Sequence, residues 1–154
     1  MRLEQWLRLE GGLARLHFKM TYSGKAEHKA THQELPALFV QPSYATLVYC
    51  DSGNPPWTRA ELKRRQPAFP NESAKFSEPW VAWERSDGQA VGLLCPHATE
   101  ATCYRVTGTG IGDCSYIAPI QTFALKPGLV FEYEVVLALG TVAQIRSVFE
   151  KVKP

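Results

Sequence analysis

Gly11-Gly12-Leu13-Ala14-Arg15-Leu16-His17-Phe18-Lys19-Met20-Thr21-Tyr22 is the stretch on which the fold class turns. Leu16, Phe18, Met20 and Tyr22 alternate with Arg15, His17, Lys19 and Thr21. A period of two places the first set on one face of a strand and the second on the other. Gly11-Gly12 separates this run from a second alternating run before it, and two glycines between such runs signal a tight hairpin. The chain therefore begins with a half-buried β-hairpin.

The same signals recur downstream. Residues 28–40 read as extended, with Pro36 imposing an edge, bulge or break. Residues 45–50 form a short apolar run closed by Asp51-Ser52-Gly53-Asn54-Pro55-Pro56, a run of turn formers. Thr58-Arg59-Ala60-Glu61 resembles a capping box and predicts a short helix over 59–65. Residues 66–79 hold three prolines and read as a long loop. Strands are expected over 80–85, 90–95 and 102–107, with a turn at Ser86-Asp87-Gly88 between the first two. Gly108-Thr109-Gly110-Ile111-Gly112-Asp113 is a glycine-rich loop with no Lys-Ser/Thr after it, which argues against a phosphate loop. Two further short strands are read over 114–119 and 121–126.

Pro127-Gly128 turns the chain into a long strand, 129–139, with Phe131, Tyr133, Val135, Leu137 and Leu139 on one face. Thr141 then caps the helix that carries Val142, Ile145, Val148, Phe149 and Val152 as one apolar stripe. Short strands with regularly spaced turns and one terminal helix predict an all-β antiparallel sandwich with a short C-terminal α-helix. Residues 1–154 are read as a single β-sandwich domain, or as a fragment of a larger one.

Composition excludes more than it selects. Seventeen Lys and Arg against fifteen Asp and Glu give a net charge of +2, too little for a nucleic-acid partner. No run reaches the roughly 18 apolar residues of a membrane span. Residues 1–10 mix Arg and Glu with Leu and show no leader-like apolar centre, so a cytoplasmic location is expected. Cys50, Cys95, Cys103 and Cys114 are then expected as free, mostly buried thiols.

Phe123-Ala124-Leu125-Lys126-Pro127-Gly128, followed by a long amphipathic strand, resembles the closing strands of galactose-mutarotase-like supersandwich domains. His32-Gln33-Glu34-Leu35-Pro36-Ala37 is similar to a phrase in bacterial proteins of the same character. The resemblance implies a sandwich that handles carbohydrate. A complete supersandwich is much longer, so this chain would supply part of one. Mutarotases use a Glu base and a His acid. Neither aligns to a defined position here, so no catalytic role is carried over.

The candidate ligand-binding residues are His32, Glu34, Trp57, Asn71, Glu72, Glu100 and Tyr104. His32 and Glu34 are two apart and share one face of an extended segment, which suits acid–base work or a pair of sugar hydroxyls. The bland alternative is a solvated strand face that fixes the bend at Pro36. Trp57, Trp80, Trp83 and Tyr104 are potential platforms for the C–H face of a sugar. Trp80 and Trp83, three apart, point to opposite faces, so at least one belongs to the core. Asn71, Glu72, Glu100 and Tyr104 read as a clamp for a sugar or cation, or as solvated loop residues. Glu72 and Glu100 also read as a glycosidase pair, for which their separation decides.

Cys95, His97, Cys103 and Cys114 lack paired Cys-x-x-Cys spacing, so no metal is expected, and no context activates a Cys–His nucleophile. Arg59, Lys63, Arg64 and Arg65 form a basic cluster better read as a solvated face. No cofactor is expected. Three function classes stand. One is a carbohydrate-binding or carbohydrate-processing module. Another is a non-catalytic assembly module whose apolar patch a second copy covers, giving a homodimer. The last is a small enzyme with His32 and Glu34 as its acid–base pair.

Overall fold

The structure, a computed structural model, describes residues 1–58, 60–108 and 110–153. Its N-terminal hairpin joins β1 (Arg2–Glu10) to β2 (Leu13–Thr21) in unbroken antiparallel register. Gly11 and Gly12 both have positive φ, 55° and 83°, which a tight turn of this hand demands and glycine supplies without strain.

The chain then places β3 (His28–Glu34), β4 (Leu38–Val40), β5 (Tyr44–Cys50), β6 (Leu62–Arg65) and β7 (Glu72–Lys75). β8 (Trp80–Arg85), β9 (Ala90–Leu94), β10 (Glu100–Val106), β11 (Cys114–Leu125) and β12 (Val130–Gly140) follow, and α1 (Val142–Val152) closes it. Two antiparallel sheets result. The larger has the order β1-β2-β12-β9-β8-β5-β6; the smaller has β3-β11-β10-β7, with β4 paired to β11 beside β3.

The interior between the sheets is apolar. Phe18, Leu47, Val81, Trp83, Leu93 and Val135 from the large sheet meet Ala74, Ala101, Cys103 and Ile117 from the small one. A second core lies on the other side of the large sheet, where α1 packs Val142, Ile145 and Phe149 against Val48, Trp80, Ala82, Leu94, Val136 and Ala138. Gly92 makes this contact possible. A Cβ there would lie 2.4 Å from Ile145 Cγ2 and 3.0 Å from Phe149 Cε2. Thr141 caps α1 as expected: its Oγ1 accepts from Gln144 N at 3.3 Å, and Gln144 Oε1 accepts from Thr141 N at 2.9 Å.

The sandwich, the hairpin, the terminal helix and the four free cysteines agree with the sequence reading. Four local expectations are corrected. The helix expected over 59–65 does not form: 62–65 is strand β6, paired with β5, while Arg59 lies outside the described residues. Pairing to an available sheet edge overrides the short-range capping pattern. The loop expected over 66–79 contains β7. The two strands expected over 114–126 are one, β11. Pro119 is accommodated because it falls between the stretch paired with β4 and the stretch paired with β3, where its carbonyl accepts from Leu35 N at 2.7 Å. Finally, Leu139 continues the core face of β12 in phase but is exposed.

Candidate functional site

Alternation assigns the outer face of the small sheet. Ala101 and Cys103 of β10 and Ile117 of β11 point into the core, so Thr102, Tyr104 and Tyr116 point outward. Tyr104 and Tyr116 are directly opposed across β10 and β11, and Phe39 of β4 opposes Tyr116 from the other side. The Tyr104 and Tyr116 rings stack at 4.5 Å with planes 23° apart. Phe39 meets Tyr116 at 5.0 Å, and Phe69, from the loop before β7, meets Tyr104 edge-on at 5.6 Å. The outcome is a row of four rings across the strands. Its ends, Phe39 and Phe69, are exposed, whereas Tyr116 is buried.

Glu34 and His32 stand beside this row. They oppose Ile120 and Thr122, which share the outward phase of Tyr116. The Tyr116 hydroxyl donates to Glu34 Oε1 and lies 3.3 Å from Thr102 Oγ1. One carboxylate oxygen is thereby held in place on an otherwise exposed side chain. His32 Nδ1 lies 3.0 Å from Thr122 Oγ1, which fixes the ring. The pair lies two positions apart along the strand, about 7 Å. Burial, followed by the bond to Glu34, pushes the Tyr116 phenol up to about 12. Burial also raises Tyr104, with Cys114 beside it adding to the rise. Both phenols are therefore neutral donors.

The structure brings four of the seven candidate residues to this face: His32, Glu34, Tyr104 and Glu100. Glu100 opposes Lys75 and shares the phase of Thr102, farther along β10. Asn71 is exposed on the loop that carries Phe69. Glu72 lies elsewhere. It opposes the inward-facing Cys103, and its carboxylate takes Arg65 at 2.9 Å and the Ala68 N–H at 2.7 Å. Glu72 and Glu100 thus sit in opposite phases and do not face one substrate position.

Trp57 lies on the other side of the molecule, against α1. Its φ is 67°, its ring carries Lys153 Nζ at 5.1 Å, and its N–H donates to Glu78 Oε1 at 3.1 Å. Trp80 and Trp83 point to opposite faces, as their spacing required, but both are fully buried, one in each core. Neither is a ligand platform.

The three described members of the basic cluster form a paired face. Lys63 bonds Asp51, Arg64 bonds Glu84 at 3.2 Å, and Arg65 bonds Glu72. Arg65 also reaches Ser73 O and Cys103 Sγ, tying β6 of one sheet to β7 and β10 of the other. A cavity of about 910 Å³ lies along this edge, bounded by Tyr49, Asp51, Asn54 and Lys63 among others. The glycine-rich loop closes on its own acid, with Gly108 N–H donating to Asp113 Oδ2 at 2.8 Å. Among the described residues, no group of three or more His, Cys, Asp or Glu side chains gathers to hold a metal ion, and no helix is long and apolar enough to cross a membrane.

Sequence reasoning missed Tyr116, the hub of the face. The available signal was its phase in β11, shared with Ala118, Ile120 and Thr122.

No family model matches the chain, and no curated protein does. Solved structures do. The galactosidase domain of an alpha-galactosidase–sucrose kinase superposes with a TM-score of 0.62 at 11% identity, over 90% of this chain and 22% of that one. A putative aldose 1-epimerase from Escherichia coli K12 gives 0.55 at 16% identity, over 91% of this chain and 60% of that one. A galactose mutarotase-like protein from Lactobacillus casei gives 0.55 at 11% identity, over 87% and 61%. This chain spans about a fifth of the first and three-fifths of the other two. In fold, the chain resembles galactose-mutarotase-like and galactosidase sandwich domains.

Proposed function

We propose that the outer face of the small sheet binds carbohydrate. The observation that carries this reading is a row of aromatic rings with a carboxylate fixed beside it, Glu34 held by Tyr116. Pyranose C–H faces pack on aromatic rings, and hydroxyls donate to a carboxylate oxygen that is already oriented. The fold shared with a galactosidase domain and an epimerase supports the same substrate class. His32, held by Thr122, supplies a second polar group within one sugar's reach. Tyr104 is the central platform, and Asn71 and Glu100 lie at the margins. Trp57 and Glu72 have no part in it. The reading places the chain in a reducing compartment, the cytoplasm, supported by four unpaired cysteines.

The test is a thermal-shift screen against mono- and oligosaccharides. A sugar at about 100 times its Kd adds about 2.7 kcal/mol, a shift of several degrees. Tyr104→Ala is expected to weaken the hit about 2- to 10-fold and Glu34→Gln about tenfold or more. A hit that ignores both substitutions, or no hit at all, would sink the proposal. Polarimetry on the bound sugar separates binding from turnover. Turnover lost in His32→Ala with binding retained would make the pair an acid–base couple.

A further inference from the structure

β1 is a free edge. Among the described residues it pairs with β2 alone, and it exposes a nine-residue strand carrying Leu3, Leu7 and Leu9, each more than 60% exposed, and half-exposed Trp6. No proline, bulge or lysine guards it, the usual devices against strand addition. Its sequence, Arg2-Leu3-Glu4-Gln5-Trp6-Leu7-Arg8-Leu9-Glu10, has a particular symmetry. Read backwards from Trp6, every charged position meets its opposite: Arg2 falls on Glu10, and Glu4 falls on Arg8.

The backbone obeys the same symmetry. Gly11-Gly12 makes Glu10 and Leu13 the residues that close the turn, hence a hydrogen-bonded pair. Alternation then turns the N–H and C=O groups of Arg2, Glu4, Trp6, Arg8 and Glu10 toward β2. Those of Leu3, Gln5, Leu7 and Leu9 point to the open side. An antiparallel second strand centred on Trp6 sets Leu3 against Leu9 and Gln5 against Leu7, so each outward group finds a partner. A shift of one residue would set bonding positions against non-bonding ones. A shift of two would bring Arg2 onto Arg8 or Glu4 onto Glu10, like charges directly opposed.

We infer that the β1 edge is a self-complementary interface on which a second copy of this chain pairs antiparallel, joining the two large sheets into one across a two-fold axis at Trp6. Such an interface is isologous, each residue pair occurring twice. Arg2 meets Glu10, Glu4 meets Arg8, and Trp6 meets Trp6 on the outer face. Leu3 and Leu9 meet on the inner face, beside an apolar groove of about 480 Å³ bounded by Leu9, Leu13, Leu137 and Leu139. The occupant is a second copy because the strand's charge pattern complements itself.

Sedimentation over a concentration series, with light scattering, tests this on the full chain. The wild type is expected to dimerise reversibly. Glu4→Arg and Arg8→Glu should each weaken the dimer at least tenfold. The double variant Glu4→Arg/Arg8→Glu should restore it, and the two single variants mixed should form a heterodimer. Leu7→Pro removes an outward N–H that β2 does not use, so it should yield a folded monomer with an unchanged helix and sheet spectrum. A wild type that stays monomeric throughout would overturn the inference. A dimer indifferent to all these substitutions would place its interface elsewhere and overturn it equally.

Discussion

Tyr116 organises its surroundings as a single residue. Its ring stacks on Tyr104 and meets Phe39 at a tilt of 48°, and its hydroxyl holds Glu34. Burial first, then the donated hydrogen bond, favours the neutral phenol and pushes it up to about 12. Because the folded value lies above the unfolded one, near 10, this contribution is full below about pH 10 and is lost as pH rises toward 12. Tyr133 titrates in the same region, pushed up to about 12 by burial. Tyrosinate absorbance should therefore show, besides the raised Tyr104, two phenols that ionise only near pH 12, and Tyr116→Phe should leave one of those two. A variant that kept both would show that Tyr116 is not the buried donor. Sequence reasoning singled out Tyr104 but not Tyr116, and the reason is physical. Both phases of β11 contain apolar residues: Tyr116, Ala118 and Ile120 on one side, and Ile117 and Pro119 on the other. Alternation separates the two faces without saying which one a second sheet covers.

At the scale of the element, α1 is held by more than its apolar stripe. Glu78, 1% exposed, receives Trp80 Nε1 at 2.7 Å, Arg146 Nε at 2.9 Å and the Trp57 N–H. Arg146 also donates to Ala60 O at 3.1 Å. One buried carboxylate thus joins the helix, the loop before β6 and the start of β8. Burial pushes the Glu78 carboxyl up, but Arg146 and Trp80 outweigh it and hold it below the usual carboxylate range. A depressed carboxyl stabilises above its unfolded pKa, near 4.5, and loses that stability as pH falls through the folded value. Arg146→Ala strands the charge and should cost about 3–5 kcal/mol in chemical denaturation. Denaturation at low pH should narrow the gap between this variant and the wild type, because both then carry a protonated Glu78. A gap constant with pH would refute the charge argument. The stripe and the Thr141 cap were readable from helical spacing. The Glu78–Arg146 pair was not, since 68 residues separate its members.

Across the whole molecule, the cysteines report how the layers open. Cys50, Cys95 and Cys103 are buried, whereas Cys114 is partly exposed beside Tyr104. Burial pushes the Cys95 thiol up to about 11 and raises Cys103, although Arg65 offsets part of that rise. A thiol reagent should modify Cys114 in the native protein and the other three at the rate of structural opening. Bound sugar should slow the Cys114 reaction, because the label and the ligand compete for the surface of Tyr104. Rapid native modification of Cys95 would contradict the packed interior between the sheets. The paired β1 edge would leave this order unchanged, since it adds strands at the far end of the large sheet.

By itself the sequence determined the properties that depend on near neighbours. These are the hairpin at Gly11-Gly12, the alternation of β2 and β12, the cap and stripe of α1, and the phase of His32 with Glu34. Each follows from backbone periodicity within one element. The tertiary structure decided whatever required two distant segments to meet. It set residues 62–65 as an edge strand, because β5 offered them a partner. It buried Trp80 and Trp83 in separate cores and sent Trp57 and Glu72 away from His32 and Glu34. It also placed Tyr116, 82 residues from Glu34, against that carboxylate. Strand order makes these choices, and strand order is settled by which apolar faces cover one another, an energy summed over the whole core and invisible in any one stretch.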